Sequence, residues 1–259
     1  MPSHGENGCL SIVGTGPGRL DQMTARAAEV IREADCVIGN ESYLSWLAPL
    51  IHGKEVIRSR MGREVERAET AVRLAADRRV AIVSGGDAGV YGMASIVLEI
   101  VERNEEKIRV EVVPGITAAN AAAALLGSPL SGDFAVISLS DLLTPIDTIG
   151  KRLEAVFSVG IPVALYNPRS RGRPHNLALA LEIASRHLGP DTPVGIVKNA
   201  YRDGEVVSIT TLGKAGRIIE DVDMHSILII GGEESRIWRN GTDARGIITP
   251  RGYHRKYVY

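Results

Sequence analysis

The sequence is poor in aromatic residues, with 2 Phe, 2 Trp and 7 Tyr among 259 positions, and it holds only 2 Cys. Cys9 and Cys36 sit singly in apolar runs, which points to buried reduced thiols and away from a disulfide framework or a cysteine metal site. None of the 6 His approaches a metal-ligand spacing such as H-E-x-x-H, so no protein-held metal is expected. An excess of one charge is missing too. Lys+Arg is 30 against Asp+Glu 31, and a formal net charge of −1 creates no chain-wide field that would hold a nucleic acid by counterion release. Long hydrophobic runs are also absent: the nearly apolar stretch Ala118–Leu126 is about half of the ~20 residues that a membrane-spanning helix needs, and Asn120 interrupts it. The opening MPSHGENG is polar and turn-rich where a secretory signal requires a charged start and an apolar run, so a cytoplasmic location is expected.

What is present is an ordinary globular composition, 44% hydrophobic and 24% charged with mean hydropathy near zero, in a chain long enough for one large domain or two modest ones. Short β-branched runs alternate with segments of helical period, the pattern of βαβ units. Strands are predicted at Leu10–Val13, Cys36–Ile38, Val80–Val83 and Val110–Val113, with helices at Met23–Ala34, Glu64–Asp77, Tyr91–Glu102 and Thr117–Leu126. The segment GSPLSGD, Gly127–Asp133, has the composition of a linker or sharp connection and places a domain boundary there. Beyond it, strands are predicted at Ala135–Ser138, Pro162–Tyr166, Val194–Val197, Glu205–Thr211 and Ser226–Ile230, and helices at Asp147–Phe157, Asn176–His187 and Lys214–Ile219. The closely spaced late strands predict a mixed second sheet. The expected organisation is therefore an α/β domain over 1–127, a second over 128–237 and an irregular tail over 238–259.

Three glycine-bearing loops each follow a predicted strand. The first, Gly14-Thr15-Gly16-Pro17-Gly18, departs from known phosphate-binding runs: Arg19 stands where a dinucleotide fingerprint needs Gly, and no Gly-Lys-Ser/Thr follows. The second, Ser84 to Gly92, has Asp87 as its only acidic or basic side chain; by itself Asp87 is either a ligand-facing carboxylate or the N-cap of the next helix. The third, Val113 to Asn120, opens a helix with small residues. Three such loops at one sheet edge mark a binding site.

In this order GTGPG, SGGDAGVYGMA and VVPGITAANAAAA resemble the tetrapyrrole methylase family, and the resemblance continues through SLSDLLTP (Ser138–Pro145), LYNPRSRGR (Leu165–Arg173), VGIVKNA (Val194–Ala200), MHSILIIGG (Met224–Gly232) and ITPRGYH (Ile248–His254). One departure is Gly86-Asp87-Ala88, where relatives often carry Gly-Asp-Pro. The resemblance implies two α/β domains with S-adenosylmethionine in the cleft between them, and a homodimer. It places cofactor contacts at Pro17, Asp87, Val90, Thr117, Ala118, Tyr166, Ala200 and His225, with the adjoining Gly85, Gly86, Gly89, Tyr91, Asn167 and Asn199 as further candidates. SLSDLLTP, YNPRS and TPRGY resemble the branch that methylates C17 of a corrinoid precursor and contracts its ring in cobalamin biosynthesis; a sister activity at another macrocycle position is the alternative. RNA methylation is disfavoured by the few aromatics, and a nucleotide-binding regulatory module has only the glycine loops in its favour.

A macrocycle fringed with carboxylates gives meaning to three arginine clusters: Arg58 and Arg60 with Arg63, Arg169 and Arg171 with Arg173, and Arg251 with His254, Arg255 and Lys256. Methyl transfer from a sulfonium needs alignment rather than a catalytic triad, and none is visible. Ring contraction needs proton transfers, for which Asp141 is the expected carboxylate, with Ser138, Ser140 and Glu41 as further candidates by location.

Overall fold

A computed structural model describes residues 8–258, apart from the side chains of Ile218 and His254. The opening heptapeptide, read above as no secretory leader, lies outside the described residues, as does the side chain of His254. The chain packs as two units, Met1–Ala118 and Ala119–Tyr259.

In the first unit the strands are β1 (Cys9–Gly14), β2 (Cys36–Asn40), β3 (Glu55–Ser59), β4 (Arg79–Ser84) and β5 (Arg109–Val113), and the helices are α1 (Ala25–Glu33), α2 (Glu41–Trp46), α3 (Ala48–Ile51), α4 (Glu64–Leu74) and α5 (Ala94–Arg103). All strand pairs are parallel, in the order β3-β2-β4-β1-β5. Alternate strand residues serve opposite faces. Leu10, Ile12, Ile38, Val80 and Ile82 pack under α4 and α5, whereas Val13, Val37, Ala81 and Val83 pack under α1, α2 and α3. Helix α1 starts where the Thr24 hydroxyl accepts from Ala27 N at 3.2 Å, and α2 where Asn40 Oδ1 accepts from Ser42 N at 3.0 Å.

The second unit begins with α6 (Ala118–Leu126) and β6 (Gly127–Ser128), followed by β7 (Ala135–Ser138), α7 (Ile146–Ser158), β8 (Val163–Tyr166), α8 (Asn176–His187), β9 (Pro193–Lys198), β10 (Val206–Thr211), α9 (Leu212–Ala215) and β11 (Ser226–Ile230). Its larger sheet has the order β10-β9-β11-β8-β7, parallel only between β7 and β8, which is the mixed sheet expected from the sequence. Helices α7 and α8 cover one face through Leu153, Phe157, Leu177 and Leu181. On β9, Gly195 leaves room for two neighbours, since a Cβ there would stand 2.4 Å from Leu126 Cδ1 and 3.1 Å from Ile247 Cδ1.

Two expectations are corrected. The units divide at Ala118 rather than within Gly127–Asp133, so α6 packs with the second unit. The stretch after Trp238 is no irregular tail: β12 (Arg236–Asn240) and β13 (Asp243–Ile248) form a hairpin with Gly241 at φ 62 in its turn, and β13 pairs with β6. The hairpin escapes a hydrophobic pattern because most of its side chains are exposed.

Buried Thr249 fastens hairpin to linker. Its N–H donates to Ser128 O at 3.0 Å, its hydroxyl donates to Pro129 O at 2.6 Å and lies 2.7 Å from Ser235 Oγ, and its carbonyl accepts from Ser131 Oγ. Thr249→Val should lower unfolding stability by about 1–3 kcal/mol by leaving Pro129 O without its donor and Ser235 Oγ without its partner; chemical denaturation measures it, and an unchanged midpoint would mean that the hydroxyl does not contribute to the cooperative fold.

Candidate functional site

In the first unit, β4, β1 and β5 are neighbours, and each ends in one of the glycine loops. The chain leaves β1 toward α1 on one face of the sheet and leaves β4 toward α5 on the other. Adjacent strands whose connections part in this way open a crevice at their carboxyl ends, where open α/β sheets bind ligands.

At this edge, backbone meets backbone. Gly16 and Gly86 exchange N–H···O=C bonds of 3.0 and 2.8 Å, and Ser84 O accepts from both Thr15 N at 2.9 Å and Thr15 Oγ1 at 3.1 Å. A Cβ on Gly115 would stand 2.2 Å from Gly86 O and 2.7 Å from Gly14 C. Asp87 ties two loops together, its Oδ1 accepting from Gly89 N at 2.8 Å and its Oδ2 from Gly115 N at 2.9 Å. The N-cap alternative for Asp87 is corrected: α5 starts at Ala94, with Met93 at its N-cap.

The remaining candidates of this unit lie on the same loops. Pro17 is buried, Thr117 and Ala118 are half-buried, and a Cβ on Gly85 would meet the Tyr43 ring at 2.7 Å. Val90 is half-buried, while Tyr91 is exposed and takes φ 52, a left-handed conformation that a bulky residue seldom adopts. Loops 14–18, 84–92 and 113–120 contain no Lys or Arg. Arg58 and Arg60 stand apart on the edge strand β3 and just beyond it, both exposed, with Arg58 Nε 3.7 Å from Glu41 Oε1.

In the second unit, register brings four segments to one edge of the larger sheet: the ends of β7, β8 and β9 and the start of β11, where Ser226 pairs with Lys198. Ser138, Tyr166, Asn167, Asn199, Ala200 and His225 all lie here. Tyr166 Oη accepts from Ala119 N at 2.8 Å, Asn167 Nδ2 donates to Ser138 Oγ at 2.9 Å, and Ser140 N donates to the same oxygen at 3.2 Å. Asn167, Asn199 and Tyr201 hold φ of 50, 51 and 56, so three non-glycine residues in left-handed conformations concentrate at this edge. His225 exposes its side chain, while its carbonyl accepts from Asn199 N at 3.0 Å and its N–H donates to Asp223 Oδ1 at 2.9 Å. Burial works against the charge of Asp223, but Lys198 Nζ at 2.7 Å and that N–H hold its carboxyl below the ordinary carboxylate range.

The arginines of 169–173 separate. Arg169 donates from Nη1 to Ile219 O at 2.9 Å and Glu220 O at 3.1 Å and from Nη2 to Glu220 Oε2 at 2.9 Å. Arg171 is exposed, and Arg173 is buried. Asp141 is partly exposed, and its Oδ1 lies 3.9 Å from Arg173 Nε. Arg251 lies past β13, outside any strand, and is exposed. Sequence reasoning missed the burial of Arg173 and the strained Tyr201; the arginine spacing contains no signal that distinguishes Arg173 from its neighbours.

Gly115→Ala should cost about 1–3 kcal/mol through forced backbone movement, whereas Gly150→Ala in α7, where a Cβ meets nothing within 4 Å, should stabilise by about 0.5–1 kcal/mol. Denaturation midpoints compare the two, and equal effects would remove the backbone crossing as a constraint.

The model of the tetrapyrrole (corrin/porphyrin) methylases matches residues 10–216. The cobalamin biosynthesis protein CbiHC of Archaeoglobus fulgidus is 42% identical over 99% of this chain, which spans 55% of that relative's length. A protein of Salmonella typhimurium named probable cobalt-factor III C(17)-methyltransferase is 44% identical, covering 94% of this chain and 99% of the relative. The crystal structure of the methyltransferase CobJ is 33% identical with a TM-score of 0.87, covering 94% of this chain and 100% of that one. The chain belongs to the tetrapyrrole methylase family.

Proposed function

We propose that this chain transfers a methyl group from S-adenosylmethionine to C17 of a corrinoid precursor, precorrin-3B or cobalt-factor III, with contraction of the ring, in cobalamin biosynthesis. The observation that carries the reading is the glycine-walled crevice at β1, β4 and β5, in a chain whose full-length relative is named for C17 methylation. The reading includes a homodimer, as the resemblance of the sequence implies, working in the cytoplasm.

The crevice fits the cofactor chemically. A sulfonium is a cation, and the three loops offer it no opposing Lys or Arg. Glycine backbone allows close approach, and the Asp87 carboxylate has lone pairs beyond the two that accept N–H bonds. When bound, the cofactor supplies an electrophilic methyl group with its leaving group built in. The part left to the chain is alignment: holding the acceptor carbon about 3–3.5 Å from the methyl group is worth roughly 7–11 kcal/mol without a covalent intermediate. Ring contraction then requires a proton acceptor or donor near the departing carbon, and Asp141 offers a partly exposed carboxylate on the loop after β7.

The test is incubation with 13C-methyl-labelled cofactor and each macrocycle in turn, followed by location of the label. The expected product carries it on C17 of a contracted ring, and Asp141→Asn should instead accumulate a methylated, uncontracted macrocycle. Label on another carbon would assign a sister activity, and no transfer to any tetrapyrrole would contradict the proposal. Contracted product from Asp141→Asn at the wild-type rate would take proton transfer away from Asp141.

A further inference from the structure

Resting on the proposed reading, we infer that Arg173 anchors a carboxylate of the macrocycle, beside Asp141 and flanked by an apolar wall at Leu142 and Leu143. The short turn in which Arg173 N donates to Ser170 O at 3.0 Å folds this side chain back into the second unit, where the residue is 9% exposed. A guanidinium has five N–H donors. Here Nη2 faces Met224 Sδ at 3.4 Å, a weak acceptor, and Nε is buried with no hydrogen-bond partner. The nearest carboxylate is that of Asp141, 3.9 Å from Nε and too far for a hydrogen bond.

A buried cation this poorly paired is costly unless an anion completes it. Arg169, by contrast, has oxygen acceptors at both Nη atoms, on Ile219 and Glu220, so Arg173 is the less satisfied of the two. Asp141 lies on the Nε side beyond hydrogen-bond reach and Nη2 has only the weak Met224 acceptor, so the guanidinium keeps charge-assisted donors for an incoming carboxylate. Beside it the Asp141 loop presents Leu142 and Leu143 at 77% and 98% exposure. One cation next to a bare apolar wall matches the rim and the face of a carboxylate-fringed macrocycle, and matches a small inorganic anion poorly.

The experiment is a binding cycle on the full chain, with a carboxylate-bearing tetrapyrrole and its fully esterified counterpart followed by fluorescence quenching. Wild type should bind the acid at least tenfold more tightly than the ester. Arg173→Gln should lose at least tenfold for the acid and nothing further for the ester, while S-adenosylhomocysteine affinity stays within twofold. Arg173→Lys should fall between, because it keeps the charge and loses the fork. Should Arg173→Gln fail to fold, the volume-matched Arg173→Met takes its place in the same cycle. A wild type that binds acid and ester equally, or a variant that binds the acid as wild type does or loses acid and ester alike, overturns the assignment alone. A wild type that binds no tetrapyrrole overturns the proposed function as well.

Discussion

The structure depends on a close crossing of main chain at the ends of β1, β4 and β5. Gly14, Gly86 and Gly115 approach so nearly that a single added Cβ would lie 2.2 Å from a carbonyl oxygen. The N–H and C=O groups exchanged between Gly16 and Gly86, and the two N–H bonds collected by Asp87, convert three separate turns into one backbone platform. Side chains are nearly excluded from it. That exclusion leaves the main chain open to close approach by a small ligand.

A different logic governs the polar edge of the second unit. There the backbone is strained at Asn167, Asn199 and Tyr201, and side chains do the fastening: Asn167 to Ser138, Lys198 to Asp223, Arg169 to the turn ending in Glu220. Left-handed residues other than glycine cost of order 1–3 kcal/mol each and persist where surroundings hold them. Such an edge holds its polar groups in fixed positions, which suits recognition of a substrate with many acceptors.

Much of this was legible in the sequence. The βαβ rhythm is written in β-branched runs such as Leu10–Val13 and Val80–Val83, and the glycine loops follow those strands directly, so the edge where the three loops meet is legible from the chain alone. Three things were not legible. Strands β12 and β13 expose most side chains and so lack the alternation that marks a buried face. Asp87 reads as a ligand-facing carboxylate or an N-cap, and its bond from Gly115 N, in a loop 28 residues away, leaves no signal in the sequence. Arg169, Arg171 and Arg173 repeat at every second position, yet the turn between Ser170 and Arg173 sends them to a capping contact, to solvent and to the interior, an outcome set by tertiary packing alone.

The measurement that bears most directly on the account is calorimetric titration of S-adenosylhomocysteine into wild type and Asp87→Ala. If the platform held together by Asp87 is the cofactor site, wild type binds with one site per chain and the variant loses about 1.5–3 kcal/mol, the worth of hydrogen bonds to a charged group, or roughly 10- to 150-fold in affinity. Equal affinity in the two proteins would contradict the account and move the cofactor away from the glycine loops.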